Sequence, residues 1–308
     1  MLYDVKNILN KYFKYIRFKG FVLVTRENSI LLDEKYGNKI YRKSVLPFAS
    51  LTKQFTAAAV NELISTTSVT LETSIYDIYC KKCQIGDVSI RNLLTMQSGI
   101  VDYLNDSLYK EKLIKIINLY DASQLKKMII IDILNNNTKF KPGTKTNYSN
   151  SNYYLLGDII ERVTNMSFEC YLNNTIFNDF DLKNTFFLKG NEIENDIYYK
   201  KNFLPYELTY SACGLYSTPY DFYKWVVEYL KFNIQRIIEE DYEYNWGLQI
   251  DKKKKVVSHS GATLTENINF IYDYKNDILI YIYNEEAKMF DAYEITTNVY
   301  KIICENKV

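Results

Sequence analysis

The sequence predicts an α/β protein of the α+β type, with an antiparallel sheet flanked by terminal helices and a mainly helical lobe inserted between the sheet halves. Three observations predict it. Paired apolar runs around polar turns occur near both ends of the chain. The first and last segments carry helical periodicity. The middle consists of apolar-periodic pieces separated by polar breaks, without internal repeats or low-complexity linkers. The implied division is a discontinuous sheet-plus-helix lobe of residues 1–64 and 236–308 and a helical lobe of residues 65–235, with the functional site between them.

Each element has its own signal. Val5, Ile8, Leu9, Tyr12 and Ile16 share one helical face. Phe21-Val22-Leu23-Val24 and Ile30-Leu31-Leu32 flank the polar stretch Arg26 to Ser29, a hairpin pattern. Ser50 then precedes a run through Ala57-Ala58-Ala59-Val60 to Ile64, where alanine favours helix. Ile114 to Tyr120, Leu125 to Leu134 and Asn152 to Val163 read as helices, and Asn135-Asn136-Asn137 and Lys141-Pro142-Gly143 as breaks. Trp246 to Ile250 and Val256 to His259 read as strands around a charged turn, followed by Ile268 to Tyr272 and Ile278 to Tyr283. A helix through Phe290, Tyr293, Val299 and Ile302 closes the chain. The lysines Lys252 to Lys255 are read as a solvated hairpin tip rather than a phosphate patch.

Composition excludes several classes. With 47% hydrophobic and 24% charged residues over 308 positions, the chain can bury a core, so large-scale disorder is not expected. A formal net charge of +1 gives no field favouring nucleic acid. The 30 tyrosines are read as compositional bias, with no function attached. Five cysteines are an odd number and suggest thiols in a reducing compartment rather than a disulfide framework. Cys80 and Cys83 form a C-x-x-C pair without a second pair or a nearby histidine, which does not support a zinc site; two core thiols are the simpler reading. The first ten residues carry charges and no unbroken apolar stretch, and Met128 to Leu134 is too short to span a bilayer. A cytoplasmic protein without a membrane span is therefore expected.

Three constellations carry chemistry. Ser50-Leu51-Thr52-Lys53 fits S-x-x-K, in which helical spacing lets an amine reach a hydroxyl one turn away. The helix start adds backbone N–H groups and a positive dipole end. The motif also occurs at Ser107 to Lys110 and Ser123 to Lys126, and a serine before a helix can simply be a cap. The place of Ser50 between a hairpin and a strongly apolar helix singles it out. In Tyr148-Ser149-Asn150, a phenol can move protons and an amide can orient lysine or bind substrate. The Y-x-N spacing recurs at Tyr36, Tyr103, Tyr171 and Tyr274, where a structural tyrosine is the default. In His259-Ser260-Gly261-Ala262, the chain's one histidine ends an expected strand, and Gly261 lets a substrate lie close. A lone histidine is more often structural than functional.

Taken in order, these elements resemble the class C β-lactamase-like serine hydrolase family, which includes penicillin-binding proteins, D-stereospecific peptidases and esterases. The resemblance extends through Phe48 to Ala57, Ile90 to Ile100, Phe140 to Thr144, Tyr148 to Tyr153, Gly157 to Glu161, Gly214 to Thr218 and Trp246 to Leu248. It implies a serine β-lactamase or penicillin-binding-protein fold and an acyl-Ser50 intermediate. Lys53 and Tyr148 would handle the proton of Ser50, and Asn150 would hold the site together. His259, at the lysine position of K-T-G, would contact substrate with Ser260 and Gly261. The backbone N–H groups of Ser50 and Ala262 would form the oxyanion hole. No metal or organic cofactor is implied, and the partner would be a small ester, amide or peptide.

The chain departs from the family pattern at Gln97, where a histidine is usual, at Cys213, where a glycine is usual, and at Thr263-Leu264-Thr265-Glu266, which replaces a glycine-rich continuation. A histidine near its reference pKa of about 6.5 is mostly neutral at pH 7 and attracts a carboxylate less than lysine does. The expected substrate is therefore a small ester or uncharged peptide-like amide, with poor β-lactam turnover. A non-catalytic or slowly acylating penicillin-binding or sensing protein and a true β-lactamase are the alternatives. An α/β-hydrolase triad is excluded, because the sequence has no G-x-S-x-G elbow.

Overall fold

The computed structural model of the protein describes residues 2–27, 29–37, 40–79, 83–85, 87–188 and 204–305. Asn28 of the expected hairpin turn and Cys80 of the C-x-x-C pair lie outside them; Cys83 is half-buried.

Strands from both ends of the chain build one antiparallel sheet of seven. Its order is Ser29–Tyr36, Gly20–Arg26, Ile278–Asn284, Asn267–Asp273, Val256–Ala262, Leu248–Asp251 and Tyr244–Asn245. Strand side chains alternate between the two faces of a sheet, so a strand covered on both faces reads as an unbroken apolar run. That explains Phe21 to Val24 and Ile278 to Tyr283. Val22, Val24, Ile278, Ile280 and Ile282 pack under the helices Leu2–Tyr15 and Ala292–Glu305, against Leu9, Phe13, Val299 and Ile303. Phe21, Leu23, Leu279, Tyr281 and Tyr283 face the other way, into the larger core shared with the middle of the chain.

Two helices run through that larger core. Thr52–Thr66 is buried at every position from Thr52 to Val60, with Ala57, Ala58 and Ala59 giving it small faces for close neighbours. Asn150–Thr164 is buried from Asn150 to Ile160 and packs against it. The expected helices in the middle are present with displaced ends. Ser107–Leu119 begins earlier than Ile114, and Ala122–Leu134 starts where the Asp121 carboxylate accepts from Gln124 N at 3.0 Å. Residues 46–47, 186–187 and 215–217 form a second, three-stranded sheet beside the start of the Thr52–Thr66 helix. Among the described residues no helix is long and apolar enough to cross a membrane, and no group of three or more His, Cys, Asp or Glu is set to hold a metal ion.

One expected strand is broken. Trp246 to Ile250 is expected as one strand, but Tyr244–Asn245 and Leu248–Asp251 pair with each other antiparallel across a two-residue turn. Trp246 and Gly247 between them have φ of 52° and 75°. The turn brings the main chain of Gly247 onto the helix carrying Lys53, and a Cβ at Gly247 would lie 2.5 Å from Gln54 N. Gly37 also has positive φ, at 94°, but its nearest neighbours would be 3.8 Å away. Gly37→Ala should therefore cost only the backbone strain, about 1–2 kcal/mol. Gly247→Ala should cost more, about 3 kcal/mol or above, because main chain must also move. Urea denaturation of the two variants checks this, and equal losses would contradict the close approach.

Candidate active site

Ser50 sits where the chain turns from strand into helix. Leu46–Pro47 pairs with Leu215–Ser217, and Phe48 N–H donates to Leu215 O at 2.9 Å. Ala49 then takes φ of 45°, outside the usual range for a side-chain-bearing residue. A short 3₁₀ turn, Ala49–Leu51, leads directly into the Thr52–Thr66 helix. Ala49 and Leu51 are buried and Ser50 is half-buried, so the strained turn presents the serine from a fixed base.

Lys53 follows one turn later with no solvent exposure. Its Nζ donates to Ser50 Oγ at 3.1 Å, Asn150 Oδ1 at 2.7 Å and the Ala212 carbonyl at 2.8 Å. Three acceptors match the three N–H bonds of an ammonium. Asn150 is oriented in turn by Asp102, whose carboxylate accepts from Asn150 Nδ2 at 3.0 and 3.3 Å. A carboxylate only accepts, so the Asn150 amide must turn its NH₂ to Asp102 and its oxygen to Lys53. Asp102 is buried and also accepts from Leu104 N and Asn105 N, which holds the loop in place.

Tyr148 completes the cluster. Its Oη lies 2.9 Å from Ser50 Oγ, and Lys53 Nζ lies 5.0 Å from its ring centroid. The segment leading into Asn150–Thr164 is fastened to Met96, whose carbonyl accepts from Asn147 N at 2.8 Å and whose sulfur accepts from Ser149 N at 3.4 Å. Gln97, the departure in that loop, ties its main chain to Asn92 and Gly143.

The third element behaves unevenly. His259 is buried, and burial followed by the Lys53 charge pushes its pKa down to about 3, so the ring is neutral. Its ring stands 6.1 Å from that of Tyr148. Strand alternation turns Ser260 to the opposite sheet face, where its hydroxyl accepts from Asn269 Nδ2 at 2.7 Å; its side chain is not brought to Ser50. Gly261 lies against the turn that carries the serine: a Cβ there would be 2.7 Å from Phe48 O and 3.1 Å from Ala49 Cβ. Ala262 is exposed at the strand end. The ladder to Leu248–Asp251 ends at the Gln249–Ser258 pair, before this segment.

The structure thus brings together Ser50, Lys53, Tyr148 and Asn150. Sequence reasoning missed Asp102, Ala212 and Tyr244, whose hydroxyl lies 3.0 Å from His259 Nε2. Ala212 acts through its carbonyl, which no residue type reveals. Asp102 lies just beyond the Ile90 to Ile100 motif, and that proximity is the one signal the sequence offers. The other S-x-x-K matches look different. Ser107 is exposed, and the Lys126 amine is paired with Glu161.

Comparison with known proteins agrees with this architecture. The chain is similar to the D-aminopeptidase of Brucella canis, with 29% identity over 167 residues, covering 51% of this chain and 30% of that protein. It is also similar to Protein flp of Staphylococcus aureus, with 25% identity over 264 residues, 80% of this chain and 49% of that one. The chain therefore spans between about a third and half of the length of these two relatives. The octameric penicillin-binding protein homologue from Pyrococcus abyssi shares the fold, with a TM-score of 0.78 at 20% identity over 99% of this chain and 77% of that one. The family described as Beta-lactamase matches residues 17–288, most of the sequence, and the chain belongs to this class C-like β-lactamase family of serine hydrolases.

Proposed function

We propose that the chain is a serine hydrolase acting through an acyl-Ser50 intermediate on a small ester or peptide-like amide, with its site between the two lobes. The observation that carries this reading is the position of Ser50 Oγ within hydrogen-bond distance of both Lys53 Nζ and Tyr148 Oη. Ser50 Oγ attacks the substrate carbonyl carbon and passes its proton to the oxygen of Tyr148, which acts as the phenolate. The adjacent Lys53 charge stabilises the negative charge that this transfer requires. The N–H groups of Ser50 and Ala262 receive the oxyanion. Collapse of the tetrahedral intermediate breaks the bond to the leaving group, which takes the proton from Tyr148. Water then cleaves the acyl-serine by the same path in reverse.

The reading of substrate rests on His259. Where a K-T-G lysine would offer a fixed cation, this chain has a buried neutral imidazole. A carboxylate gains no ion pair there. The strand segment beyond Ser258 offers an edge along which an extended amide can lie. The relation to a D-aminopeptidase supports the peptide-like class.

Ser50→Ala should abolish covalent labelling by a fluorophosphonate, read by intact mass, while Ser107→Ala and Ser123→Ala should label normally; an adduct on either of those serines would overturn the assignment. Lys53→Ala and Tyr148→Phe should each lower kcat on an activated ester by on the order of 10²-fold or more. Full activity of Tyr148→Phe across pH would remove Tyr148 from the proton path. For substrate, kcat/KM on a short-chain p-nitrophenyl ester should exceed that on a chromogenic cephalosporin. Cephalosporin turnover at or above about 10⁴ M⁻¹s⁻¹, an ordinary enzymatic value, would contradict the proposed preference.

A further inference from the structure

His259 carries two hydrogen bonds that, for a neutral ring, fix its tautomer. Nδ1 lies 2.6 Å from the Ser260 carbonyl oxygen. A carbonyl only accepts, so Nδ1 must carry the ring proton. A neutral ring then has a bare Nε2, and the group facing it, 3.0 Å away, is the Tyr244 hydroxyl. Tyr244 O–H therefore donates to Nε2. Burial raises the Tyr244 pKa, which keeps the hydroxyl protonated and able to donate.

The groups around the ring make this a junction. Lys53 faces it from the Thr52–Thr66 helix, and Tyr148 faces it from the chain entering Asn150–Thr164. Tyr244 contacts it from the short strand Tyr244–Asn245, one strand removed in the sheet, and also stands edge-on to the Tyr148 ring, at 6.0 Å and 83°. Asn269, across the ladder, donates to the His259 carbonyl at 3.1 Å. A second proton on Nε2 would force the Tyr244 hydroxyl to turn from donor to acceptor and would add a cation beside Lys53. The Nδ1–H bond meanwhile pins the Ser260–Gly261 peptide immediately before Ala262.

We infer that Tyr244 is a positioning residue that locks His259 as the neutral Nδ1–H tautomer, coupling the wall behind Tyr148 to the Ser260–Ala262 strand and denying the site a cation for substrate carboxylates. The substrate consequence rests on the proposed hydrolase reading; the lock itself does not.

His259 is the chain's one histidine, so nitrogen-15 labelling of histidine gives a spectrum with a single ring to assign. Wild-type protein should show a neutral ring protonated at Nδ1, unchanged as pH is lowered from 8 to about 5, well below the reference pKa of about 6.5. In Tyr244→Phe the Ser260 carbonyl still favours the Nδ1 proton, but Nε2 loses its donor, so the Nε2 resonance should shift and the ring should begin to titrate at higher pH. Its kcat on the ester should fall by on the order of 10-fold or more through misplacement, with KM nearly unchanged. A wild-type ring protonated at Nε2, or doubly protonated at pH 7, would overturn the inference even if the variant failed to fold. A Tyr244→Phe spectrum and kcat matching wild type would also overturn it. Failure of the hydrolase reading would appear separately, as absent labelling of Ser50 with the tautomer intact.

Discussion

A lysine amine with no contact with solvent must find all its partners inside the protein, and the arrangement around Ser50 follows from that requirement. Burying an amine without hydrogen-bond partners costs several kcal/mol, by general estimates of about 2–7 kcal/mol even for neutral polar groups. Lys53 meets the requirement with a hydroxyl one turn away, an amide 97 positions later and a carbonyl 159 positions later. The segments carrying these partners must therefore converge on one helix face. Asp102 selects the orientation of the amide, and the Gly247 turn closes over the helix backbone. The same convergence brings Tyr148 to Ser50, so the packing that satisfies the lysine also assembles the proposed proton path.

The aromatic composition has a structural explanation in the same core. Tyr103, Tyr153 and Tyr154 are fully buried, and each hydroxyl donates to a main-chain carbonyl, of Leu208, Leu94 and Glu207 respectively. A buried tyrosine supplies apolar area and a donor at its tip. Burial raises the pKa of each, so the hydroxyls stay protonated. These contacts fasten the Tyr206–Cys213 segment, from which the Ala212 carbonyl reaches Lys53, to the Asn150–Thr164 helix and to Tyr103, and that helix to Leu94. What composition alone presented as bias is, at these positions, part of the fastening of the site.

Much of this is legible in the sequence. The two-sided strands show as unbroken apolar runs, and the Ser50, Lys53, Tyr148 and Asn150 cluster shows as spacing within a recognisable order. The turn at Trp246-Gly247 is not legible, because a two-residue hairpin loop with positive φ at both positions favours Asn or Asp first, and a tryptophan there gives no turn signal. The Ala212 acceptor was hidden because a carbonyl has no residue identity. The outward turn of Ser260 was readable in principle, since adjacent strand residues cannot both face His259's side. The pairing of Tyr244 with His259 joins two strands that do not neighbour each other in the sheet, and nothing in the spacing announces it.

The account stands or falls on a covalent bond to Ser50. The most direct measurement is rapid-quench mass spectrometry of the protein mixed with an activated ester, followed by peptide mapping of the trapped species. The account predicts a mass increase equal to the acyl group, located on the peptide that contains Ser50 and lost as turnover completes. Turnover without an acylated protein, or an acyl group mapped to any other residue, would contradict it.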